Sequence, residues 1–180
     1  MRELLSIIEA RTTPSKLETT PLPYGLDDLS PVMSRATLDY HYENLAKNYA
    51  KKYNNGEGNP EFNRAGSFLH NKFFPQLRAP NGSNKPKGAI LALIEKKFKS
   101  WENFQVEFKT AAMKIQGSGW IYLSTNGEIK IIPNHAVRTD IALLVDWWEH
   151  AWALDYQSDK EKYLDNIWRI INWDIVNDRL

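Results

Sequence analysis

The sequence predicts an α+β fold, with an N-terminal antiparallel helical hairpin and then a mixed domain built on a small three-stranded antiparallel sheet with flanking helices. Three observations carry that expectation. Apolar residues recur at helical spacing between residues 34 and 73. The period drops to that of strands between residues 120 and 132, around a Thr125-Asn126-Gly127 turn. A wholly apolar run, residues 141–145, then ends abruptly at Asp146, as a buried strand would.

Each element has its local reason. Ser34 suits an N-cap, and Leu38, Tyr42, Leu45 and Tyr49 follow at i, i+4, i+7 and i+11, one helix face. The loop NNGEGNP (54–60) ends in Pro60, which favours the first turn of a helix. Gly66, Leu69, His70 and Phe73 then share a side, and Pro75 should end or kink the helix. After the loop RAPNGSNKPKG (78–88) come two helical stretches, roughly 88–99 and 100–116, with Ser100 as the cap between them. Helix returns from about Ser158, with Tyr163, Ile167, Ile170 and Ile171 on one face. Residues 1–20 read as a peripheral tail: a short amphipathic piece (Leu4, Leu5, Ile7, Ile8) and a Thr/Ser/Pro linker. The expected division is a tail over 1–20, a helical-hairpin domain over 21–99 and a mixed domain over 100–180.

Composition excludes several classes. A formal net charge of +1 offers nothing to nucleic acid or other polyanions. The absence of cysteine removes disulfides, zinc–thiolate sites and thiol catalysis. No apolar run approaches the roughly 20 residues of a membrane span, and the N-terminal stretch, with Glu3 and Glu9 inside it, lacks a secretory core. The expected setting is cytoplasmic, with no membrane partner.

The chemistry concentrates in DWWEHAW (146–152), where a carboxylate and an imidazole stand four apart among three tryptophans. A buried unpaired charge is expensive, so Asp146 and His150 need partners. His41 lies in the first helix and His70 in the second. Three imidazoles and one carboxylate from four places in the chain suit iron, manganese or zinc. Taken singly, each also reads as an ordinary hydrogen-bonded histidine or a polar pair at a helix end.

The order of motifs decides more than any one of them. LPYGLDDLSP (22–31), LDYHY, a helix with His70, PNGSNKPKG, GSGW (117–120), DWWEHAW and YLDNIWRIINW (163–173) together resemble the iron/manganese superoxide dismutase family from about Leu22 to Arg179. The resemblance implies one Fe or Mn ion per chain, held by His41, His70, Asp146 and His150, that dismutates superoxide to dioxygen and hydrogen peroxide. It implies that Tyr49 is a gateway tyrosine and that Trp120 and Trp148 wall the metal. Glu149 would reach across the interface of a homodimer or tetramer to the partner's ligand. Gly66 stands where iron-type members usually carry a glutamine. His135 aligns with the position from which manganese-type members supply one, so His135 would hydrogen-bond the metal-bound solvent and Tyr49 would relay protons.

The departures are paired. Leu45 and Ala46 replace two histidines usual in the family, and Ala153 replaces the tyrosine that meets the first of them across the interface. Joint loss of both partners is tolerable, because a lone buried polar group costs about 1–3 kcal/mol. Phe74 and Tyr122 replace tryptophans beside the metal, and Pro75 follows Phe74. Two other readings remain: a protein of weak or no activity with a structural metal, serving in assembly, and a metal-dependent hydrolase. The hydrolase would want a positioned general base, and the chain has no spare carboxylate motif for one. Lys47, Arg64 and Lys72 are candidates for local positive potential toward an anion.

Overall fold

The computed structural model describes residues 15–180; the amphipathic piece at Leu4–Ile8 lies outside them. Helix α1 (35–54) starts at Ser34, whose side chain accepts from the Thr37 N–H, and runs through Arg35–Leu38, a π-helical segment Asp39–Ala46 and Lys47–Asn54. Helix α2 (Pro60–Phe73) starts at Asn59, which caps Phe62 N–H, with Pro60 in its first turn. As Pro75 dictates, α2 gives way to a single 3₁₀ turn, Phe74–Gln76, and then to extended chain.

The π segment corrects one expectation. A π turn holds more residues than an α turn, so the buried stripe of α1 runs Leu38, His41, Tyr42, Ala46 and Ala50, while Leu45 is left half-exposed. On the facing side α2 buries Gly66, Leu69, His70 and Phe73. Each fully buried Leu or Phe of this interface is worth about 1.5–3 kcal/mol.

Helices α3 (Gly88–Phe98) and α4 (Trp101–Met113) are separated by Ser100, which caps α4 by accepting from Asn103 N–H. The sheet follows. Strands β1 (Gly119–Ser124), β2 (Ile129–Pro133) and β3 (Ile141–Asp146) lie in the order β2-β1-β3, all pairs antiparallel. Gly127 turns the hairpin at φ 80°, the left-handed region glycine tolerates. Strands β1 and β3 are buried along their whole length, whereas β2 is largely uncovered at the edge.

Three short helices close the chain: α5 (Ala153–Tyr156), α6 (Lys160–Ile167) and α7 (Trp173–Asn177). The α6 cap is Asp159, whose side chain accepts from Lys162 N–H. Tyr163, Ile167, Ile170 and Ile171 are all fully buried, as their spacing requires. Near the C-terminus Arg179 donates to Lys72 O (2.6 Å), Gln76 Oε1 (2.9 Å) and Ala142 O (3.0 Å). Gln76 in turn accepts from Leu144 N–H at 3.1 Å. The end of α2 is thereby tied to β3, the strand that ends in Asp146.

Candidate metal centre

His41, His70, Asp146 and His150 come together from α1, α2, the end of β3 and the 3₁₀ turn Glu149–Ala151. One ligand atom from each lies within 4.8 Å of all the others. The centre is Asp146 Oδ2, which sits 3.0 Å from His41 Nε2, 3.3 Å from His150 Nε2 and 3.7 Å from His70 Nε2. Such spacings suit nitrogen and oxygen donors on one ion at about 2.0–2.2 Å each. The other carboxylate oxygen is occupied, because Asp146 Oδ1 accepts from Trp148 N–H at 2.9 Å.

Unspent nitrogens test the fit. His70 Nδ1 lies 2.7 Å from the carbonyl of Gly66 one turn back, so it carries the proton and leaves the Nε2 lone pair aimed at the cluster. Among the described residues, that Nε2, like both ring nitrogens of His41, is buried without an aligned hydrogen bond. Buried polar atoms are rarely left so, and one cation in the cluster would satisfy the Nε2 atoms of both His41 and His70, the two that face Asp146.

Electrostatics agree. Burial lowers the His41 pKa to about 4, with the His150 imidazole adding to the effect and Asp146 opposing it. Burial likewise holds His70 well below its usual value, with His41 contributing. Burial alone would raise Asp146, but His150 and His41 more than offset it and keep the carboxyl far below the usual range. Neutral imidazoles around an anionic carboxylate are the protonation states a metal requires.

The surrounding wall is aromatic. Trp120 lies edge-on to His70 at 5.0 Å, and Phe74 lies 4.8 Å from His41. Trp148 stacks on His135 at 4.6 Å and on His150 at 5.6 Å. Gly66 has its own reason for being glycine: a Cβ there would lie 2.8 Å from the Tyr49 ring. Tyr49 uses that space to stack on His70 at 5.3 Å. Tyr122, by contrast, turns its hydroxyl to Asp140 at 3.2 Å, beside Lys130, and not toward the imidazoles.

His135 is held at both nitrogens. Trp120 Nε1–H donates to Nδ1 at 3.0 Å, and Nε2 faces the Tyr49 hydroxyl at 3.0 Å. Indole nitrogen is only a donor, so Nδ1 must be bare. Burial lowers the His135 pKa to about 4, so the neutral ring carries its proton on Nε2 and donates to Tyr49. The two residues expected beside the metal, His135 and Tyr49, are thereby joined in one hydrogen-bonded chain that starts at Trp120. Both nitrogens of His135 have partners, and Tyr49, stacked on His70, continues the chain toward the ligands. Burial, with Asp146 adding, pushes the Tyr49 hydroxyl up to about 12, so it stays protonated at neutral pH.

Several neighbours escaped sequence reasoning. Phe62 packs on His135 at 4.7 Å and Tyr49 at 5.9 Å, and Phe73 stacks on His41 at 5.7 Å. Tyr163 donates to the Asp146 carbonyl at 3.1 Å. Phe73 and Tyr163 stood out only as core positions, and Phe62 gave no signal. A cavity of about 310 Å³ opens beside Tyr49, lined by Leu45, Lys52, Asn59, Phe62 and Asn63. Lys47 pairs with Glu43 at 2.5 Å and Lys72 borders a separate cleft of about 490 Å³, whereas Arg64 lines both that cleft and one of about 460 Å³ beside Phe62 and His135. Glu149 is exposed and Ala153 half-buried.

Residues 86–179 match the family model described as the C-terminal domain of iron/manganese superoxide dismutases. A Porphyromonas gingivalis protein named superoxide dismutase [Mn/Fe] is 36% identical over 90% of this chain and 98% of its own. The chain belongs to the iron/manganese superoxide dismutase family. A Bacteroides fragilis superoxide dismutase [Fe] is 35% identical over 91% of this chain and 98% of its own. An Arabidopsis thaliana relative, the chloroplastic superoxide dismutase [Fe] 1, is 34% identical over 89% and 90% respectively. The buried His₃Asp cluster suits the iron or manganese named in these relatives.

Proposed function

We propose that this chain is a superoxide dismutase using one Fe or Mn ion held by His41, His70, Asp146 and His150. The observation that carries the reading is the convergence of those four ligand atoms, with the Nε2 atoms of His41 and His70 unspent among the described residues. A bound ion supplies alternation between trivalent and divalent states, giving an electron to one superoxide and taking one from another.

The protein's own residues do the rest. Asp146 brings the negative charge that favours the higher oxidation state, and its Trp148 N–H bond fixes which oxygen faces the imidazoles. Trp120, Phe73, Phe74 and Trp148 exclude bulk water. Two protons are needed for each peroxide released, and Tyr49, with its hydroxyl oxygen filled by the His135 donor, offers its own proton toward the centre. The cavity at Leu45 and Lys52 is the approach for a small anion.

We read the active form as a homodimer or tetramer in the cytoplasm, with exposed Glu149 at the interface. The interface lacks the histidine–tyrosine bridge, since Leu45 and Ala153 stand at its two ends. The division into residues 1–20, 21–99 and 100–180 suits this reading, with two ligands from each of the larger parts.

Metal content and superoxide decay, measured on one preparation purified without chelator, test the proposal. About one Fe or Mn per chain with activity is expected, and His70→Ala or Asp146→Ala should abolish both. Full metal without activity would favour a structural metal, and zinc alone would refute the redox reading.

A further inference from the structure

Residues 17–20 run as extended chain across the helical hairpin and are gripped by side chains from both helices. Asn54, at the end of α1, bonds both sides of Leu17: Oδ1 accepts from its N–H (2.8 Å) and Nδ2 donates to its carbonyl (2.8 Å). Asn71, on α2, does the same one step along, donating to Glu18 O (2.8 Å) and accepting from Thr20 N–H (2.9 Å). The Tyr42 hydroxyl donates to Thr20 O at 2.9 Å. Four residues on, Tyr24 donates to Phe74 O at 3.0 Å.

Two of these clamps adjoin the metal ligands in sequence. Tyr42 follows His41, and Asn71 follows His70. Successive helical side chains point in different directions, so each pair sends one side chain to the metal centre and the next to the extended segment. Tyr42 also backs the wall from behind: its ring meets Phe74 at 5.2 Å, and Phe74 meets His41 at 4.8 Å.

We infer that Tyr42 and Asn71 are positioning residues, which use residues 17–20 as a strap to fix the separation of His41 and His70 and so slow the loss of the metal. The strap acts through backbone bonds, so its own side chains are free to vary. This inference rests on the metal-centre reading above.

The test is the rate at which the full-length holoprotein loses its metal to a chelator, followed by the absorption of the trivalent ion. Tyr42→Phe keeps the ring on Phe74 and removes only the bond to Thr20; Asn71→Leu keeps the volume and removes two bonds. Each should speed release by about fivefold per hydrogen bond lost. The double variant should be less than the product of the two, because both act through one strap. Asn177→Ala is the control, since Asn177 bonds Ile90 N–H, Lys87 O and Trp173 O, none of them in a ligand or strap residue. All rates are compared at the same interval below each variant's melting temperature.

Faster release in the strap variants with an unchanged control supports the inference. Unchanged release with a lower melting temperature, release matched by Asn177→Ala, or fully multiplicative effects would each overturn it and leave the metal reading standing. An unsubstituted protein that holds no Fe or Mn would overturn both.

Discussion

Trp120 places a single donor 3.0 Å from His135 Nδ1, and that one contact sets the direction of every proton up to Tyr49. Trp120→Phe keeps an aromatic ring against His70 but frees His135 to take the other tautomer, which presents a bare Nε2 to the Tyr49 hydroxyl. Tyr49 would then donate to His135 and lose the proton it holds for the metal centre. The expected result is unchanged metal content with activity lower by about 10- to 100-fold, as for other residues that orient a metal's surroundings; parallel metal analysis and superoxide-decay assays check it. Gly66→Ala tests the same proton path sterically. The new methyl would meet the Tyr49 ring at 2.8 Å, which costs about 1–3 kcal/mol in overpacking. Alanine regains about 1 kcal/mol of helix propensity. Net stability should fall by no more than about 2 kcal/mol while activity drops as in Tyr49→Phe, a separation that denaturant melts beside rate assays would reveal.

The elements were legible to different depths. Ser34, Asn59-Pro60 and Ser100 mark helix starts because capping is a local interaction, and the turn at Gly127 marks the hairpin for the same reason. The ligand histidines were findable because seven motifs stand in a familiar order. Phe62 was not, since its contacts with His135 and Tyr49 depend on how α2 faces the loop after β2. The π segment was also illegible: Leu38, Tyr42 and Leu45 fit α spacing equally well, and only packing around His41 chooses between them. That choice is measurable. In the π register Ala46 is 1% exposed and Leu45 half-exposed. Ala46→Leu should therefore cost about 1–3 kcal/mol from overpacking, and Leu45→Ala well under the about 2–5 kcal/mol of a fully buried leucine. Chemical denaturation of the two variants would show the reverse order if α1 were α-helical throughout.

At the scale of the whole molecule, the centre joins parts that are far apart in sequence, and it does so at an electrostatic cost that shows when the metal is removed. Without an ion, His41 and His135 are buried at pKa values of about 4 and His70 lies well below its usual value. The unfolded chain protonates the same groups near 6.5. Between those values the unfolded state binds more protons, so stability rises with pH and is lost as pH falls from about 6.5 toward 4. Each such histidine contributes up to about 1.4 kcal/mol per pH unit in that window, against a total of about 5–15 kcal/mol for a domain. Asp146 has the opposite starting point: its depressed pKa adds stability above about 3.8 and takes no part in the loss at higher pH. The apoprotein should therefore melt at steadily lower temperature from pH 7 to pH 5. The metal-loaded protein should melt higher at each pH but lose melting temperature at least as steeply, because ligation also requires neutral imidazoles at His41 and His70 while the unfolded chain still protonates them. Calorimetry on both forms across that range decides it: an apoprotein melting temperature that is flat from pH 7 to pH 5 would mean that these histidines are not buried neutral, and a loaded protein with a flatter curve than the apoprotein would mean that the ion does not sit among them.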